Sequence, residues 1–156
     1  MMGSEILKTI PTPSKYISHR QASSKNELFV KEGWILMTCS GSVGDVVYVD
    51  KHLSQFVYTH DLIRIIPRNE DTQLYLFGFL SSKIGKTLSN HFKYGSVIQH
   101  LEAFHIQDIP VPILYEYQTE IISKVRKYVN HISKAKQLEL DAIAKVEAEI
   151  EKWGKQ

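Results

Sequence analysis

The 156-residue chain has a single cysteine, Cys39. No internal disulfide can form, and a reducing, cytoplasmic setting is expected. No apolar run approaches the roughly 20 residues of a membrane span. The opening "MMGSEILKTIPTPSKY" lacks the apolar stretch of a signal peptide. A soluble intracellular protein is therefore expected. An excess of one charge is missing too: 19 Lys and Arg face 17 Asp and Glu, a net charge of +2. That excludes binding to nucleic acid by bulk charge, as a histone does, and leaves only a local patch.

Catalytic patterns are also scarce. "SGSVG", Ser40 to Gly44, lacks the Lys-Ser/Thr that completes a P-loop. There is no glycine fingerprint for a dinucleotide or methyl donor and no Asn/Asp-Pro-Pro-aromatic stretch of adenine methylation. In "HLEAFH" four residues separate His100 from His105, where a zinc protease has three, and no Cys or carboxylate pair completes a site. The two read as surface or turn histidines. Cys39 ends an apolar strand with no base beside it and reads as buried filler. Asp45, Asp50 and Asp61 form no carboxylate–lysine group of nuclease type. The expectation is no catalytic residue, no metal and no cofactor.

What is present suffices for a core, since 43% of the residues are hydrophobic. Residues 1–32 are polar and mixed. Pro11 and Pro13 exclude regular helix there, so a loop or edge arm is expected. "GWILMTCS" and "DVVYV", joined through "GSVG", read as a strand pair. "FVYTHDLIRIIPRN" adds a strand stopped by Pro67 and Asn69. Leu74, Phe77, Leu80 and Ile84 then fall at helical spacing, with Asp71 or Thr72 as N-cap and Gly85 dividing the helix. A turn near Leu101–Phe104 leads to "IPVPI", Ile109 to Ile113. Its prolines cannot donate hydrogen bonds, which predicts an edge strand with a stiff exit.

From Glu116 to Trp153 no Pro or Gly interrupts, and Gly154 suits a helix stop. Ile121, Val125, Tyr128, Ile132, Ala135, Leu138, Ala142, Val146 and Trp153 recur in steps of mostly three and four. Only Glu149 is polar on that seam. Glu120–Lys124, Asp141–Lys145 and Glu151–Lys155 are acid-first pairs. Such a helix is roughly 57 Å long, against about 30 Å for a 115-residue domain. It has to protrude, and its seam predicts a partner helix. The fold class is α+β: a small, mixed, β-rich domain over 1–115, then a coiled-coil helix over 116–156.

The ordered set "GWILMTCSGSVGDVVYV", "YTHDLIRIIP", "LYLFGFLSS", "GSVIQHLEAFHIQDIPVPI" and Gln118 followed by "EII" resembles the specificity subunits of type I restriction-modification systems. It covers about residues 28–153, as one half of such a subunit: one target recognition domain and one conserved-region helix. The stretch before "GWIL" is shorter than the family's usual one, which implies a recognition domain shortened on that side.

The resemblance implies a non-catalytic, sequence-specific DNA-binding role. The partners would be double-stranded DNA, methyltransferase subunits and, in the assembled system, restriction subunits. Half-length members pair, which implies a homodimer through the C-terminal helix. The DNA would meet Ser40 and Ser42, then Lys93, Tyr94, Ser96 and Gln99 of "FKYGSVIQH", with Lys15 and Arg20 of the N-terminal arm. Each stretch has a plainer reading: a glycine turn between strands for the first, solvated loops for the others. The competing function is a truncated assembly module that dimerises or docks without reading DNA.

Overall fold

A computed structural model describes residues 1–23, 25–95 and 100–153. Its centre is an antiparallel sheet of three strands, β1 (Ile35–Thr38), β2 (Val46–Tyr48) and β3 (Leu62–Ile65), in the order β2-β1-β3. Ile35 pairs with Tyr48 on one side and Ile65 on the other. All four residues of β1 are buried. Alternate side chains leave a strand on opposite faces, and here both faces are covered. Leu36 belongs to a buried cluster with Met1, Ile6, Val30, Leu53, Tyr58 and Leu62. Ile35 shares a second cluster with Leu74, Phe77 and Ile122, and Met37 a third with Leu80 and Leu101. A strand covered on both sides needs no polar alternation, which accounts for the uninterrupted "ILM".

The N-terminal segment is a cover for one sheet face and not an edge arm. It contains two short helices, α1 (Gly3–Ile6) and α2 (His19–Ser23), on either side of the prolines. Pro11 and Pro13 prevent only a longer helix. Glu5 is buried and accepts backbone hydrogen bonds from Met2 at 2.7 Å and Ser14 at 2.8 Å.

The other face is covered by helices. In α3 (Glu70–Ser81) the N-cap is Asn69, whose Oδ1 accepts from Thr72 N at 2.8 Å; neither Asp71 nor Thr72 caps it. The break before α4 (Lys83–His91) falls at Ser82, which is extended and caps α4 by accepting from Gly85 N at 3.1 Å. Gly85 therefore lies inside α4. A Cβ there would sit 2.2 Å from the carbonyl oxygen of Phe79, so glycine permits the tight fold of α4 against the end of α3.

The expected turn near Leu101 is a short helix, α5 (Ala103–Gln107). The expected strand over Ile109–Ile113 does not form. Pro110 and Pro112 cannot donate to a ladder, and Ile109 N donates back to Ile106 O at 3.3 Å. Tyr75 of α3 holds the segment instead. Its hydroxyl donates to Pro112 O at 2.6 Å and accepts from Leu114 N at 3.1 Å.

The last helix, α6 (Gln118–Trp153), has 36 residues, or roughly 54 Å. Its first half docks on α3. Ile122 and Val129 are buried there, with Ile121 and Val125 partly buried beside them. Gly78 makes the approach possible, since a Cβ on it would lie 2.8 Å from Val125 Cγ2. Arg126 bonds Glu70 and reaches Asp71 at 3.2 Å. Lys136 reaches Asp50 at 2.8 Å, both buried. Over 141–153 every residue is exposed, about 20 Å of rod. Among the described residues no helix is long and apolar enough to cross a membrane.

The docking stripe is not the seam read from spacing. It runs through Ile122, Val129 and Lys136, one residue on from Ile121, Tyr128 and Ala135, and so turned by about 100°. Ile121 and Val125 belong partly to the domain core. Tyr128 stacks on Phe77 at 6.4 Å but stays 55% exposed. Ile132, Ala135, Leu138, Ala142, Val146 and Trp153 remain exposed. The helix thus carries two adjacent stripes: the domain buries one, takes up the start of the other at Ile121 and Val125, and leaves the rest of the second exposed.

Candidate nucleic-acid interface

The loop from Ser40 to Gly44 joins β1 to β2. Gly41 and Gly44 have φ of 71° and 87°, left-handed values that disfavour side chains. Buried Thr38 organises the loop. Its hydroxyl donates to Ser42 O and accepts from Asp45 N at 3.1 Å, while its carbonyl accepts from Gly44 N at 2.8 Å. Val43 plugs the loop into the core. Gly41 and Ser42 are left exposed at its tip, and Ser40 is half-buried at its base.

The second loop comes to the first. Ser40 pairs with His100 in an antiparallel bridge, and Leu101 N donates to Cys39 O at 3.0 Å. Tyr94 pairs with His100 in turn. The two sequence stretches chosen for DNA contact therefore share one edge of the domain. Tyr94 is exposed, and its hydroxyl donates to Glu102 Oε1 at 2.7 Å. That carboxylate raises the phenol's pKa. Lys93 is half-buried. Ser96 and Gln99 lie outside the described residues.

Sequence reasoning passed over the aromatic group behind this edge. His105 stacks on Phe92 at 5.8 Å, lies 4.0 Å from the Phe104 ring and meets Tyr94 at 5.8 Å. The clustering of Phe92, Tyr94, His100, Phe104 and His105 in a short span was the available signal. Lys15 lies elsewhere, over the N-terminal cover, in a shallow cavity with Tyr16, Ile17, Phe29 and Phe56. Arg20 is exposed on α2. Neither stands in the bridged group of Ser40, Tyr94 and His100.

Helix α4 borders the first loop. A Cβ on Gly44 would lie 3.3 Å from Asn90 Oδ1, and Lys86 Nζ is 2.9 Å from Asp45 Oδ1. Cys39 is half-buried, and burial, then Asp61 and Glu102, push its thiol pKa up, away from thiolate chemistry. Among the described residues no group of three or more His, Cys, Asp or Glu could hold a metal.

The fold is α+β, a three-stranded antiparallel sheet covered by helices and followed by a long C-terminal helix. The family model of the type I restriction modification DNA specificity domain matches residues 5–142, and the chain belongs to that family. No curated protein matches it.

Proposed function

We propose that the chain is the DNA sequence-specificity subunit of a type I restriction-modification system. It reads one part of a DNA target and docks methyltransferase subunits, and it performs no catalysis itself. The observation that carries this reading is the bridge between Ser40 and His100. With the Tyr94–His100 bridge it brings the stretch of Ser40 and Ser42 beside that of Lys93 and Tyr94, which supports their polar groups as contacts for phosphates and base edges. Family membership supports it. So does the exposed stripe of Leu138, Val146, Ile150 and Trp153, which lies beyond the domain and suits helix-to-helix packing.

Two copies joined along α6 would present two reading surfaces. Their symmetry predicts a two-part, inverted-repeat target with a fixed gap. Such a subunit works in the cytoplasm.

The test is a gel shift of the purified chain, alone and with its methyltransferase subunit, on duplexes selected from a random library. A recovered consensus and salt-sensitive binding are expected. Assembly with the methyltransferase but no preference among sequences would favour the competing assembly module.

A further inference from the structure

Helix α4 separates its side chains sharply. Gly85 and Ser89 are buried, and the Ser89 hydroxyl donates to Gly85 O at 3.0 Å. Lys83, Lys86, Thr87 and Asn90 are all exposed. They stand at i, i+3, i+4 and i+7, one face of a helix. This stripe has two lysines and no acid, and the exposed Ile84 of the same helix lies outside it. It continues the surface of the Ser40–Gly44 loop, because Asn90 abuts Gly44 and Lys86 pairs with Asp45.

We propose that this face of α4 enters the major groove of the target duplex. Lys83 and Lys86 meet phosphates, while Thr87 and Asn90 meet base edges. The inference rests on the DNA-reading function above and adds to it the element that reads. The fit is geometric and electrostatic. A helix about 10–12 Å across suits a groove about 12 Å wide. From Lys83 to Asn90 the axis advances roughly 10 Å, about three base pairs at the 3.4 Å spacing of a strand. An asparagine amide offers the donor and acceptor that match adenine. A duplex carries one negative charge per ~1.7 Å, complementary to the two lysines. Asp45 opposes it, since its carboxylate competes with phosphate for Lys86.

That opposition provides the test. Lys86→Ala and Asp45→Asn break the same surface ion pair. A structural role for the pair moves both variants the same way. A phosphate role moves them apart: Lys86→Ala weakens binding and Asp45→Asn tightens it. Binding is measured by fluorescence anisotropy at several salt concentrations, on the selected duplex and on scrambled ones, with the chain in complex with its methyltransferase subunit. Lys83→Ala and Lys86→Ala should each lower the slope of log K against log salt by about 0.9. Asn90→Ala should leave the slope alone and relax the preference at one base pair. If wild type binds selectively but both lysine variants keep its slope, or if Lys86→Ala and Asp45→Asn shift affinity in the same direction, α4 lies off the DNA and the loops alone read it. Failure of wild type to bind any duplex would overturn this inference and the reading beneath it.

Discussion

Lys136 Nζ lies 2.8 Å from Oδ2 of Asp50, a residue 86 positions earlier, and the two side chains are 10% and 9% exposed. The other carboxylate oxygen of Asp50 accepts from Leu53 N at 2.9 Å. A buried charge is costly unless paired. The pair joins the middle of α6 to the end of the β2 segment, so it fixes where the helix leaves the domain. Lys136→Met should destabilise the protein by about 3–5 kcal/mol, because the buried Asp50 loses its counter-charge. Adding Asp50→Asn to it should cost much less than the two single changes summed. Urea unfolding of the three variants measures this, and strict additivity would mean the two groups do not interact.

Gly78 and Val125 make a second point of docking. Gly78→Ala improves helix propensity by about 1 kcal/mol, yet it should lower stability, since overpacking costs about 1–3 kcal/mol. Val125→Ala in the same chain should restore part of the loss. Thermal melts of the single and double variants test the contact, and a more stable Gly78→Ala would show that α6 does not press on α3 there.

Leu138 and Val146 are 60% and 59% exposed. Changing both to Glu should leave the domain's melting temperature nearly unchanged, as surface substitutions usually stay within about 0.5 kcal/mol. The proposed dimer, or the proposed complex with methyltransferase, should be lost in sedimentation. The same change at Val125 would be less informative, because Val125 packs against the domain's own core.

Glu5 predicts an acid-sensitive cover. Hydrogen bonding to Ser14 first, and to Met2, lowers its carboxyl pKa to about 2 against opposing burial. Because the folded value is the depressed one, its contribution is complete above the unfolded pKa, about 4.3. It is lost as pH falls from there toward 2. Glu5→Gln should flatten stability against pH in that window and lower stability at neutral pH. An unchanged acid limb would place the sensitivity in another carboxylate.

Several elements were legible because their signals are local. "ILMT" and the "VVY" of "DVVYV" are strands, Leu74, Phe77 and Leu80 are buried on one helix while Ile84 lies exposed on the next, and the break-free tail is one helix. Where several residues compete for one role, local signals do not decide between them. Asn69 took the cap expected of Asp71 or Thr72, and Ser82 took the break expected of Gly85. Both outcomes turn on one side chain reaching one amide. "IPVPI" reads as strand by composition, but prolines leave it without a ladder and Tyr75 holds it instead.

The candidate site divides in the same way. Ser40, Ser42, Lys93 and Tyr94 stand out in the sequence by their chemistry. Their meeting through His100 depends on a bridge between distant stretches. The stripe on α4 went unread because its lysines are unremarkable until Gly44 and Asp45 come beside them.

The amino-acid order alone determined that a small α+β body would end in a long helix with an apolar seam, since periodicity and proline placement are properties of neighbouring residues. Only the tertiary structure decided which of two adjacent stripes on that helix docks at home. Ile122, Val129 and Lys136 bind the body because Gly78 lets the neighbouring Val125 come close and Asp50 supplies a charge, and no local pattern contains that information.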